Sequence, residues 1–138
     1  MSDTRKLAEF CAQRCLDKKA ENVIILDLED KSSVADYFVV CSGFSDRQVA
    51  AIADFVSDEA RKYGAKVYAE EGMKEGRWAL IDLGAVIVHV FQDHLRDFYS
   101  LESLWRDAPR ILVKDDGSTE ELDDIVRPSD FEPGSARF

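Results

Sequence analysis

No uninterrupted apolar run in these 138 residues approaches the roughly 20 that a bilayer-crossing helix needs, so no membrane partner is expected. The opening stretch, MSDTRKLAEFCAQRCLDKK, is charged throughout and has no apolar core of a secretory signal, which makes the cytoplasm the expected location. Cysteine is scarce and odd in number: Cys11, Cys15 and Cys41. No further Cys or suitably spaced His completes a ligand set, so no metal is expected, and Cys11 and Cys15, four apart in a helical pattern, read as small buried residues. Positive charge is in deficit as well. Eighteen Lys and Arg stand against 28 Asp and Glu, for a net charge of −10. Such a surface repels phosphate backbone, so direct nucleic-acid binding is not expected, whereas a basic protein, even one that itself sits on RNA, is attracted to it. There are no internal repeats.

What is present is a globular balance, 46% hydrophobic and 33% charged, in a length that suits one ordinary domain with its own core. Leu7, Phe10, Cys11 and Cys15 recur at helical spacing, predicting a helix from Thr4 to Lys19. Residues 23–28 read as a short buried strand, and VADYFVVCSG as a second that stops at Gly43. Ser45 followed by Gln48 makes a capping box, and Val49, Ile52, Ala53, Phe55, Val56 and Ala60 mark a helix ending at Gly64. KVYAE is a short third strand. Residues 77–83 and 85–91 are strands joined tightly at Leu83-Gly84, hence an antiparallel hairpin. Helical spacing resumes from Asp93 to Trp105 and is broken at Pro109. Beyond Val113 the chain is acidic and poor in apolar residues, so the expected division is a domain over 1–113 and a mobile tail over 114–138. The fold class is α/β: a mixed sheet of about five strands with helices mainly on one face.

The stretch GRWALIDLGAVIVHVF, residues 76–91, then raises a question of faces. Alternation sends Ala79, Ile81 and Leu83 one way, with Val86, Val88 and Val90. These all-aliphatic sets suit packing against helices. Trp78, Leu80 and Asp82, with Ile87, His89 and Phe91, share the opposite face. If the helices cover only one side, Trp78, Leu80, Ile87 and Phe91 form an exposed apolar patch edged by Asp82 and His89, of a kind monomers seldom leave in water. These six are the candidate partner-binding residues, with Trp78 as the anchor. The tail, or a second copy of the chain, could cover the same face. His89 reads as a packing residue; no Ser or Cys stands where it could act as a nucleophile beside it, so no catalytic residue is expected.

Three separate segments, ADYFVVCSGFSDRQVAAIAD, then EG with a glycine before RWALIDLGAVIVHVF, then RDFYSLESLWRDA, resemble the ribosomal silencing factor family, also called Iojap or RsfS, over roughly residues 5–108. Ala85 departs from the acidic residue expected after the turn. The resemblance implies a factor that binds the large ribosomal subunit through its ribosomal protein number fourteen, blocks joining of the small subunit and represses translation, without a cofactor. It also implies a nucleotidyltransferase-like fold lacking that activity, and homodimers in some members. Carried over, Trp78, Leu80, Asp82, His89 and Phe91 lie at or beside the ribosomal-protein contact, while Arg96, Tyr99 and Trp105 belong to the following helix. Two alternatives belong to other classes. One is a self-associating dimer module. The other is a nucleotidyltransferase-like enzyme, for which the Gly43-Phe44-Ser45 turn and the placement of Asp27 and Glu29 ahead of it are a poor match.

Overall fold

A computed structural model describes residues 3–29, 32–94, 108–114 and 116–122. Among these, two helices and seven strands follow in the order α1 (Asp3–Asp17), β1 (Glu21–Asp27), β2 (Tyr37–Gly43), α2 (Asp46–Tyr63), β3 (Ala69–Glu71), β4 (Trp78–Asp82), β5 (Val86–Gln92), β6 (Arg110–Val113) and β7 (Thr119–Leu122). One mixed sheet contains every strand, in the order β3-β4-β5-β2-β1-β6-β7. Only β2 and β5 run parallel among the described strands.

The local causes are legible. Ser45 accepts from the Gln48 N–H at 3.1 Å while the Gln48 side chain accepts from the Phe44 N–H at 2.7 Å, so two orphan donors at the start of α2 are satisfied reciprocally. The helix buries Val49, Ile52, Ala53, Val56 and Ala60, and it closes where the Gly64 N–H reaches the Arg61 carbonyl. Helix α1 buries Ala8, Cys11, Ala12 and Cys15. Both helices lie on one face, where they meet Val39 and Cys41 of β2, Ala79 and Ile81 of β4, and Val86, Val88 and Val90 of β5. At about 1.5–3 kcal/mol for each fully buried branched side chain, this layer is the main source of stability.

Two expectations need correction. The sheet has seven strands rather than about five, and the division at residue 113 falls inside a hairpin, because Thr119–Leu122 pairs antiparallel with Arg110–Val113. The hairpin is tied to α1 at both ends. The Gln13 side chain donates to the Gly117 carbonyl, and Arg5 pairs with Glu121 at 3.0 Å. The expected third strand, KVYAE, is shorter than read: the ladder begins at Ala69, although the Tyr68 N–H already reaches the Asp82 carbonyl. The helix expected from Asp93 to Trp105, with Arg96, Tyr99 and Trp105 on it, lies mostly outside the described residues.

The second face is not bare either. Ile24, Leu26, Phe38, Val40, Ile87 and Phe91 form a second buried cluster, each no more than 7% exposed, although no described helix lies against it. Part of the cover comes from connections rather than elements: Leu28, Ala35 and Ala108 pack into the same cluster.

Candidate partner-binding surface

The β4–β5 hairpin turns where alternation predicts. The Leu83 N–H donates to the Val86 carbonyl at 2.9 Å, Gly84 adopts φ +89°, and the Asp82 carboxylate accepts from the Gly84 N–H at 2.8 Å. That register sets Trp78 opposite Phe91, Leu80 opposite His89 and Asp82 opposite Ile87. All six candidate residues therefore stand on the face away from α1 and α2, as read from the sequence. The pairing of β2 beside β5 then adds Phe38 next to Ile87 and Val40 next to His89.

Accessibility divides the six. Trp78, Leu80 and Asp82 of β4 are half-buried, whereas Ile87, His89 and Phe91 of β5 are buried at 7%, 4% and 0% exposure. The open patch expected over both strands is thus narrowed to a strip along β4, with exposed Glu71 of β3 opposite Leu80. The reason is the sheet order: β5 is internal, flanked by β4 and β2, while β4 has only the three-residue β3 outside it.

Within the strip two of the described residues hold the indole of Trp78. It stacks on Phe91, with ring centres 4.9 Å apart and planes at 27°, and its N–H donates to His89 Nδ1 at 3.1 Å. Phe38 meets the same imidazole edge-on at 4.6 Å. An Nδ1 that accepts requires a neutral ring with its proton on Nε2. Burial points the same way, pulling His89 down from 6.5 to about 4. Among the described residues the register sets the charged groups Asp82, Glu71, Arg110, Glu120 and Glu21 on this face, and none contributes to that shift, whose cause is desolvation. Among the described residues His89 Nε2 has no hydrogen-bond partner.

Sequence reading missed two contributors. Phe38 carried no signal without the strand order. Gly72 adopts φ +75°, and a Cβ there would lie 2.0 Å from the Trp78 carbonyl oxygen, so only glycine lets the loop pass so close to the start of β4. The sole clue was a glycine at the head of EGMKEG.

Residues of the rival enzymatic reading are occupied locally. Ser45 caps α2, Asp27 accepts from the Glu29 N–H at 3.1 Å, and Glu29 accepts from the Tyr37 hydroxyl at 3.1 Å. Cys11, Cys15 and Cys41 are free, buried thiols in the helix-side core. Desolvation pushes Cys11 up to about 12, and Cys15 is raised foremost by its hydrogen bond with Cys41. Among the described residues no helix is long and apolar enough to cross a membrane.

A family model described as "Ribosomal silencing factor during starvation" matches residues 1–136. The chain belongs to the ribosomal silencing factor family. It is 49% identical over 105 residues to the ribosomal silencing factor RsfS of Bacillus subtilis, an alignment covering 76% of this chain and 89% of that protein. It is 33% identical over 95 residues to the chloroplastic Iojap protein of Arabidopsis thaliana, covering 69% of this chain and 40% of that one. Among solved structures it is similar to a Chromobacterium violaceum protein at TM-score 0.73 and 32% identity, over 76% of this chain and 87% of the other. A Bacillus halodurans protein matches at TM-score 0.65 and 37% identity, over 88% of this chain and the whole of the other. Membership makes the chain a silencing factor that regulates translation rather than an enzyme. The family match also runs through the β6–β7 hairpin and past the expected limit at residue 113.

Proposed function

We propose that this protein binds the large ribosomal subunit in the cytoplasm through ribosomal protein number fourteen and, by its bulk, keeps the small subunit from joining. The observation that carries the proposal is the half-buried strip Trp78, Leu80 and Asp82, an aromatic anchor on a rigid strand with carboxylates beside it. A protein partner suits it better than RNA. Trp78 and Leu80 supply apolar contact area, and Asp82 and Glu71 draw basic side chains to its rim. The net charge of −10 acts in the same sense, attracting a basic ribosomal protein and repelling the RNA of an approaching small subunit. Repression on this reading needs no bond made or broken.

The test is co-sedimentation with purified large subunits, followed by addition of small subunits. The protein is expected to travel with large subunits and to reduce the amount of joined ribosome. A protein that remains at the top of the gradient, or that self-associates without binding subunits, would overturn the proposal.

A further inference from the structure

We propose that His89 is a positioning residue for recognition: its Nδ1 holds the indole N–H of Trp78 so that the ring lies fixed on Phe91 and presents only carbon surface to a partner. This rests on the large-subunit reading above and deepens it.

Four observations converge on this role. Trp78 is the first residue of β4, directly after the loop that begins at Gly72, and is only half-buried, so backbone pairing, which continues to the Gln92 N–H and the Arg77 carbonyl, does not by itself fix the ring. Its indole nonetheless makes a 3.1 Å bond across to β5, diagonal to its own cross-strand partner Phe91. Phe91 is wholly buried and offers a flat bed beneath the ring. Finally, His89 is expensive where it stands. It is 4% exposed, its Nε2 proton finds no acceptor among the described residues, and an aliphatic residue would fill the same space with no buried N–H of its own to leave unpaired. What histidine supplies there, and leucine does not, is an acceptor aimed at the indole.

Two consequences for recognition follow. Because the N–H is consumed internally, a partner meets an aromatic surface with no donor to offer. An apolar side chain or the face-on cation of Lys or Arg fits that surface, and a carbonyl acceptor does not. Moreover, a ring already held in its bound position loses little freedom on docking, and releasing it would weaken binding about threefold to tenfold.

The test compares His89→Gln, whose amide oxygen can still accept from the indole, with His89→Leu and His89→Met, which fill the space without an acceptor. The first readout is the indole N–H signal of Trp78 in a proton–nitrogen spectrum, assigned by its loss in Trp78→Phe, together with its rate of exchange with solvent. The second is affinity for purified large subunits. Slow exchange and near-native affinity are expected for the Gln variant. The Leu and Met variants should show fast exchange and a threefold to tenfold weaker affinity, with unchanged far-UV circular dichroism. If either aliphatic variant folds and binds like the unaltered protein, or if the Gln variant is as weak as both, His89 does not position the indole. Failure of the unaltered protein to bind large subunits is a separate result, which overturns the large-subunit reading itself.

Discussion

Lowering the pH from about 7.5 to about 5 should destabilise the fold through one side chain. His89 has its folded-state value near 4 because burial disfavours the imidazolium, while in the unfolded chain it returns to the ordinary 6.5. The unfolded state therefore binds the proton more tightly. Stability is full above pH 6.5, falls by about 1.4 kcal/mol per unit as the pH drops below it, and levels off below about 4. Between the two conditions the loss is about 2 kcal/mol, a large share of the margin by which a small domain is folded. The other shifted groups among the described residues lie outside the window: Asp116 is lowered by Ser118, Arg5 and Cys15 are raised, and Tyr37 and Cys11 are each pushed up to about 12. Urea unfolding followed by far-UV circular dichroism at the two pH values measures the effect. The same comparison in His89→Gln, which carries no titrating group there, should lose most of it. An equal pH-dependent loss in that variant would show that His89 is not the cause.

Other outcomes follow from the packing. A chain ended after Val113 should be less stable than one ended after Leu122 by about 2–3 kcal/mol, since it lacks the β7 ladder, the Gln13–Gly117 hydrogen bond and the exposed Arg5–Glu121 pair; urea midpoints of the two chains decide it. Gly72→Ala should cost about 2 kcal/mol or more, because the new Cβ collides with the Trp78 carbonyl and φ is +75°. Thermal unfolding of that variant, with indole fluorescence as a second probe, reads both the loss and any displacement of Trp78. All three thiols should resist Ellman's reagent in the native protein and react in denaturant, since each is buried and Cys11 and Cys15 are held protonated.

The face assignment of β4 and β5 was readable from alternation alone, because a strand's period of two leaves no freedom once the turn at Leu83-Gly84 is fixed. Helix α2 was equally plain, with a capping box at one end and a glycine at the other. How far the second face is buried was not readable. That depends on β2 lying beside β5, which brings Phe38 against His89, and on Leu28, Ala35 and Ala108 reaching in from connections. Strand β7 was missed for a related reason. Its residues Thr119 to Leu122 carry the polar composition of an edge strand, and only Asp116-Gly117 hinted at a hairpin turn, whose partner strand no local pattern identifies. The bond between Trp78 and His89 is a diagonal contact across two strands, visible only once the register is known.

Docking through the β4 strip is tested most directly by Trp78→Ala in a gradient with purified large subunits, with circular dichroism confirming that the variant is folded. Loss of this half-buried anchor should weaken co-sedimentation by about 2 kcal/mol, or roughly thirtyfold in affinity, and restore joining of small subunits. A folded Trp78→Ala protein that binds large subunits and blocks joining as well as the unaltered chain would contradict it.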